Sequence, residues 1–204
     1  MIAVFLAAVV GAATPASVKY AFDEPPPAIE PAGPIEAVML HPLFAGYFIC
    51  GEHPAGEKTI AGDSLGTDCQ LLGREGTSFR RLYRTNGLRN EDWYSWGADV
   101  LSPTDGTVIG LLPNARVNEP GTMGRPPAGM LQVRRDDGVT VMLGHLTDFS
   151  VALGERVKAG QRIARVGNNG PSYAPHVHIG AAKGAEPLQI RWDQRAMAAL
   201  MPAE

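Results

Sequence analysis

The sequence predicts a mainly β protein, and three observations support this. The chain contains 24 Gly and 17 Pro in 204 residues, and both residue types interrupt helices but end strands and form turns. Brief apolar or alternating runs follow one another from Trp96 onward, each ended by a turn residue. A chain of this length buries one main core with extensions. We therefore expect an antiparallel β-sheet or sandwich.

The composition excludes one class of partner. The hydrophobic fraction is 45%, the charged fraction is 19% and the formal net charge is −3, which are ordinary values for a soluble globular protein. A slightly acidic chain has no general attraction for polyanions. We therefore expect no nucleic acid partner.

The amino-terminal residues are typical of an export signal. Residues 2–13 form an apolar run, and small residues continue to Ala16, as in the core and cleavage region of a signal peptide. We predict a signal peptide over residues 1–16. No Lys or Arg precedes the run, so an upstream start codon or an uncleaved anchor also fits.

Residues 17–34 and 35–90 have different compositions. The first segment contains the run DEPPPAIEPAGP and is predicted to be an extended linker. The second has short apolar pieces between Gly and Asp, and we expect it to elaborate the main domain, which covers residues 91–204. In an exported protein Cys50 and Cys69 are expected to form a disulfide, the alternative being two buried free thiols.

Later elements are predicted from turn signals. Strands are expected at residues 99–102, 107–112, 130–134 and 139–146, with hairpins at the Asp-Gly pairs of residues 105–106 and 137–138. Residues 113–129 are rich in Pro and Gly, so they should form an irregular excursion that walls a groove. A short terminal helix is expected over residues 192–201, with Asp193 near its start.

Three histidines occupy positions that suit a metal site. His145 ends the strand at residues 139–146, on the face that also carries Val141 and Leu143. His176 and His178 are two residues apart, so in a strand they share one face. A lone His-x-His pair is also typical of an edge strand with solvent-facing histidines, and the wider sequence must decide between the two interpretations.

The wider sequence resembles the lysostaphin-type (M23, LytM) zinc metallopeptidases. The resemblance rests on three segments in the family's order: WGADVLSPTDGTV at residues 96–108, VTVMLGHL at residues 139–146, and VALGERVKAGQRIARVGNNGPSYAPHVHIG at residues 151–180. It implies the duplicated β-sheet fold of this family with an open groove and one bound zinc. It also implies Asp99 and His178 as zinc ligands, and His145 and His176 as the residues that orient water and stabilise the oxyanion.

One position departs from the family pattern. The family has a ligand histidine where this sequence has Ser95, and a serine hydroxyl is a poor zinc ligand beside imidazole or carboxylate. A catalytic zinc usually has three protein ligands, so a third must come from elsewhere. The sequence offers four candidates, which are Asp92, Glu91, His53 and His41.

Two functions remain open at this point. The resemblance implies an exported zinc metalloendopeptidase that cleaves peptidoglycan peptides in the periplasm or extracellular envelope of a bacterium. Ser95 favours the alternative of a catalytically degenerate module that binds peptidoglycan or regulates a separate cell-wall hydrolase.

Overall fold

The computed structural model describes residues 20–54 and 56–202. The predicted signal peptide therefore lies outside the described residues, as does the start of the predicted linker. Within the described residues, no helix is both long and apolar enough to cross a membrane.

Twelve strands lie within the described residues, and they fall into two sheets. In chain order they are β1 (Ala37–Leu40), β2 (Phe48–Glu52), β3 (Thr67–Leu71), β4 (Asp99–Leu101), β5 (Gly106–Leu112), β6 (Met130–Arg134), β7 (Val139–Gly144), β8 (Leu146–Thr147), β9 (Arg156–Val157), β10 (Arg162–Val166), β11 (Val177–Lys183) and β12 (Glu186–Trp192). The prediction of a mainly β fold is confirmed.

The larger sheet has the order β1-β12-β11-β7-β6-β5-β9. Strand β11 is shared on one side, because β3 pairs with its first residues and β12 with its last. Strand β2 pairs with β3, so residues from the 35–90 segment belong to the same sheet as the later strands. This arrangement places β3 directly beside the histidines of β11.

The smaller sheet has the order β4-β10-β8 and packs its apolar residues into the same core. Because β4 pairs with β10 while β5 pairs with β6 and β9, the predicted hairpin between β4 and β5 is wrong. The Asp-Gly turn after β4 instead carries the chain from one sheet to the other. The predicted hairpin between β6 and β7 is confirmed by their register.

The helix and the disulfide also agree with the sequence. Helix α1 (Gln194–Ala199) begins after Asp193, whose side chain accepts hydrogen bonds from the N–H groups of Arg195 and Ala196, as expected of a helix N-cap. A disulfide joins Cys50 to Cys69, which are direct partners in the β2–β3 ladder. It closes the short loop that leads from β2 to β3.

The described part of the proline-rich segment is extended but lies against the domain. The Leu111 N–H donates to the Ala21 carbonyl at 2.6 Å, and the Ala28 N–H donates to the Thr59 carbonyl at 2.8 Å. Gln132 Nε2 donates to the Asp23 carbonyl at 2.9 Å. These bonds hold the segment across the open face of the larger sheet.

Candidate metal centre and cleft

The centre begins with a pair of residues on neighbouring strands. His178 of β11 is the register partner of Asp68 of β3, and residues opposite each other in an antiparallel pair have Cβ atoms about 5 Å apart. Asp68 Oδ1 lies 2.8 Å from His178 Nδ1. The sheet pairing itself thus creates the contact between an imidazole and a carboxylate.

The loop between β2 and β3 encloses the other edge of the His178 ring. His178 Nε2 contacts Asp63 Oδ1, and a Cβ atom at Gly66 would lie 2.8 Å from both Cε1 and Nε2 of His178. Only glycine at position 66 permits this approach, because real Cβ contacts are longer. His178 is therefore held between two carboxylates and buried to 7% exposure.

His53 joins the cluster from the residues that follow β2. Its Nε2 lies 3.4 Å from Asp68 Oδ1, and its ring centroid lies 5.3 Å from that of His178. His53 Nδ1 lies 3.2 Å from Glu57 Oε1. His53 Nε2 is buried and has no hydrogen-bond partner, so the nitrogen that faces the cluster is unsatisfied.

His145 and His176 lie beside the cluster, and their ring centroids are 4.4 Å apart. His145 Nδ1 lies 2.8 Å from the Asn169 carbonyl oxygen, and His176 Nδ1 lies 2.8 Å from that of Ala174. Because a carbonyl oxygen can only accept, each Nδ1 carries the proton. His145 Nε2 is left free for chemistry in the cleft, whereas His176 Nε2 lies 3.4 Å from Asp68 Oδ1.

His145 reaches the cleft through an unusual backbone conformation. A regular continuation of β7 would point it into the core with Leu143, as the sequence predicts. Its φ of 62° instead ends the strand and turns the ring toward the cleft, which is lined by Met142 and Gly144 of the opposite face. Left-handed backbone at a non-glycine residue costs about 1–3 kcal/mol and is concentrated at functional sites.

The electrostatics separate the roles of the histidines. Burial, together with electrostatic repulsion from neighbouring His176, lowers the pKa of His145 to about 3, so this ring is neutral near pH 7. Burial also disfavours charge on His178, but the carboxylates of Asp63 and Asp68 outweigh it and raise its pKa to about 9. Burial raises the pKa of Asp68, but His176 and His178 lower it by more, far below its usual range.

The cluster fits a divalent metal ion. One ligand atom from each of His53, Asp68 and His178 can be chosen so that all lie within 4.8 Å of one another. In a tetrahedral zinc site with bonds of about 2.0–2.1 Å, ligand atoms lie roughly 3.3 Å apart. The separations of 2.8 Å and 3.4 Å from Asp68 Oδ1 to the two histidines bracket this value. A metal ion would also satisfy the orphaned His53 Nε2.

The residues predicted from the family pattern are not all brought together. His145, His176 and His178 meet in the cluster, but Asp99 lies in the smaller sheet. Its Oδ1 accepts a hydrogen bond from Arg162 at 2.9 Å and from Arg165 at 3.3 Å. The structure thus places the expected ligand Asp99 in a surface ion-pair network.

Ser95 has a structural position rather than a place in the cluster. It is fully buried, and its Oγ accepts a hydrogen bond from the Leu71 N–H at 2.9 Å. This bond fastens the end of β3 to the turn that precedes β4. The residue at the family's ligand position therefore supports the strand that carries Asp68.

Of the four predicted candidates for the third ligand, only His53 lies in the cluster. Asp92 is buried, and its Oδ2 accepts from the Arg89 N–H at 3.1 Å. Glu91 is exposed. His41 Nδ1 lies 2.9 Å from the Pro42 carbonyl oxygen, outside the cleft.

Sequence reasoning missed Asp63 and Asp68, although one signal could have found Asp68. The two cysteines were expected to pair, and a disulfide between antiparallel strands fixes their register. Pairing Cys50 with Cys69 puts Asp68 opposite Gly51, close to His53. The expected disulfide therefore already brings a histidine and an aspartate to one end of a hairpin.

The candidate metal cluster of His53, Asp68 and His178 lines a cleft of about 800 Å³. One wall is the irregular 113–129 segment, which contributes Met123, Pro126 and Pro127, as the sequence predicts for this region. The other wall is formed by the docked amino-terminal segment with Phe22 and Pro25. A site of this shape can hold an extended chain.

Comparison with known proteins supports the resemblance predicted from the sequence. Residues 93–190 match the sequence profile of Peptidase family M23. The chain is 35% identical over 75 residues to the glycyl-glycine endopeptidase ALE-1 of Staphylococcus capitis, a match that covers 36% of this chain and 21% of that protein. It is 36% identical over 84 residues to an uncharacterized metalloprotease of Haemophilus influenzae, covering 41% and 16%. The chain thus matches less than a quarter of each relative.

Solved structures of the same group are more distant. The catalytic domain of the prophage-encoded M23 protein EnpA from Enterococcus faecalis has a TM-score of 0.47 and 19% identity, covering 73% of this chain and 93% of that one. The catalytic domain of lysostaphin from Staphylococcus simulans has a TM-score of 0.38 and 19% identity, covering 70% and 77%.

Proposed function

We propose that this chain, whose residues 93–190 match Peptidase family M23, is a zinc metalloendopeptidase that cleaves peptidoglycan peptides. The observation that carries the proposal is the convergence of His53, Asp68 and His178, with His145 and His176 beside them. Three protein ligands that leave a fourth position for water are the usual arrangement of catalytic zinc.

The metal ligands would be His53 Nε2, an Asp68 carboxylate oxygen and His178 Nδ1. Zinc held there supplies a water of lowered pKa, near 7, and polarises the scissile carbonyl. Asp63 contacts His178 Nε2, so its carboxylate would accept the second ring proton and fix the ring orientation, as partners of metal-bound histidines do. Asp63 is thus a positioning residue.

His145 and His176 would act on the attacking water and on the oxyanion, respectively. His145 is neutral and keeps its proton on Nδ1, so its Nε2 can accept a hydrogen bond from the attacking water and orient it toward the scissile carbonyl. His176 also donates its Nδ1–H to a backbone carbonyl. When protonated on Nε2 as well, it can donate to the oxyanion of the tetrahedral intermediate.

The alternative of a binding or regulatory module rests on Ser95, and that motivation is weakened. Ser95 is a buried support for β3, while His53 and Asp68 would supply the ligands that the Ser95 segment lacks. The cluster also leaves His53 Nε2 without a partner, a cost that a module without metal has no reason to retain.

Substrate and location are proposed on chemical grounds. The relative from Staphylococcus capitis is named a glycyl-glycine endopeptidase, which supports a cell-wall peptide as the substrate. The disulfide between Cys50 and Cys69 suits an oxidising compartment. We therefore propose that the protein is exported to the bacterial envelope.

The test combines metal analysis with a cell-wall assay. The purified protein is dialysed without chelator, its zinc content is measured, and release of new amino groups from purified peptidoglycan is followed. We expect about one zinc per chain and a chelator-sensitive release that zinc restores. His145→Ala and His176→Ala should each lower the rate by about 100-fold or more, whereas His41→Ala, which removes a histidine outside the cleft, should not.

The results separate the two functions. Zinc binding and co-sedimentation with peptidoglycan, without release of amino groups, would favour the regulatory module. Release that persists in chelator would contradict the proposed metal chemistry.

A further inference from the structure

The open face of the larger sheet presents a row of residues that leads away from the metal centre. His178 pairs with Gly144, the β6–β7 register continues to place Met130 beside Gly144, and Met130 pairs with Leu112. Neighbouring strands lie about 4.8 Å apart. Met130 and Leu112 therefore lie about 10 Å and about 15 Å from the strand of His178, across the floor of the cleft.

The middle of this row is bare at Gly144. A Cβ atom there would lie 3.4 Å from the Cβ of His178, so a larger residue would fill the space directly beside the centre. Without a side chain at this point, a peptide backbone can run close to the sheet. The floor is thus continuous from the reactive histidines to Met130.

Met130 and Leu112 lie in a cleft whose lining is largely apolar. Further apolar side chains from three separate parts of the chain line the same cleft: Phe22, Pro25, Met123, Pro126, Pro127 and Met142. Methionine side chains adapt their shape to different apolar partners. The apolar lining of the cleft can bury an aliphatic side chain, whereas a polar side chain buried there without a hydrogen-bond partner would lose free energy.

We infer that this apolar space is a specificity subsite that binds an aliphatic side chain of the peptide substrate. The inference rests on the proposed function. An extended peptide advances about 3.3 Å per residue, so the subsite receives the side chain about three to four residues from the scissile bond. The substrate is accordingly a peptide with an aliphatic residue at that distance, in contrast to an all-glycine bridge, which would leave the subsite empty.

The test uses the zinc-loaded protein and paired synthetic peptides. Each pair has an alanine-glycine background and carries either leucine or asparagine, which are similar in size, three or four residues from the central bond. Mass spectrometry locates the cut. We expect kcat/KM to be about 10-fold or more higher for the leucine peptide, mainly through a lower KM.

Two variants assign the preference to the subsite. Met130→Gln keeps the length of the side chain and should lower the leucine-to-asparagine ratio of kcat/KM by about 10-fold. Leu112→Asn should act in the same direction. Met39→Gln, at an exposed methionine of β1 outside the cleft, should leave the ratio at the wild-type value.

The outcomes distinguish the inference from the proposed function. Equal cleavage of both peptides by the wild-type protein, or a preference that survives Met130→Gln and Leu112→Asn, would overturn the subsite and leave the peptidase standing. If the zinc-loaded protein cleaves neither the peptides nor peptidoglycan, the proposed function is overturned, and the subsite with it.

Discussion

Strands β3 and β4 each carry an aspartate, and their surroundings differ. Asp68 of β3 lies within 3.4 Å of nitrogen atoms of three histidines. Asp99 of β4 is about half exposed and accepts hydrogen bonds from two arginines. A carboxylate among imidazoles can share a metal ion, whereas one between guanidinium groups is already neutralised. The neighbouring strand therefore decides the role of each aspartate: β11 brings histidines to Asp68, and β10 brings arginines to Asp99.

The largest expected effect comes from exchanging the two carboxylates for amides. Asp68→Asn should remove the retained zinc and lower peptidase activity by more than about 100-fold, since even partners of metal ligands cost 10–100-fold when lost. Asp99→Asn is the matched control and should change the free energy of unfolding by less than about 1 kcal/mol. Elemental analysis and the peptidoglycan assay measure both variants. Loss of zinc in Asp99→Asn with retention in Asp68→Asn would reverse the assignment.

The next largest effect is expected at Gly66, which lets the His178 ring pack against the backbone just before β3. Gly66→Ala would place a methyl group 2.8 Å from the His178 ring and from the Asp63 carbonyl oxygen, so the ring must move. We expect zinc affinity to fall by about 10- to 100-fold, the range for disturbed ligand orientation. Gly51→Ala is the matched control, because nothing lies within 4 Å of its new Cβ. Equal zinc titration curves for the two variants would show that His178 does not depend on this packing.

A smaller effect is expected from the disulfide that holds β3 to β2. Cys50 and Cys69 close a loop with a sequence separation of 19, and such a cross-link stabilises by about 3 kcal/mol. The double variant Cys50→Ser/Cys69→Ser should lower the Tm. It should also weaken zinc binding, because the disulfide joins β2, which leads to His53, to β3, which carries Asp68. Denaturation with and without added zinc measures both effects. An unchanged zinc affinity would mean that sheet pairing alone orients the two ligands.

The smallest effect is a pH dependence confined to the metal-free protein. The pKa of His178 is raised from its ordinary value of 6.5 to about 9, so its contribution to stability is fully present below about pH 6.5 and is lost as the pH rises through 9. Zinc binding displaces the His178 proton and should remove this alkaline loss. Thermal melts from pH 6 to 10, with chelator or zinc, test the difference. Parallel curves would indicate that His178 does not bind the metal.

Much of the fold could be predicted because its signals are local. The β6 strand and the β6–β7 hairpin follow from alternating apolar residues and one Asp-Gly turn, and the helix follows from Asp193 and the helix formers after it. The wrong hairpin after β4 has the same kind of turn signal. Its strands separate because β4 pairs with β10 and β5 pairs with β6, in two different sheets.

Within the site, local pattern and strand pairing contributed different parts. The sequence by itself singled out His145, His176 and His178 through the resemblance to the lysostaphin-type family, and the His-x-His spacing placed His176 and His178 on one face of a strand. The direction of the His145 ring was decided by its left-handed backbone. The sequence also predicted the disulfide, from the expected export and the presence of two cysteines. Only the tertiary structure decided which aspartate meets them, since register between distant strands is set by the packing of the whole sheet. That packing put β3 beside β11, and so brought Asp68 rather than Asp99 to the histidines.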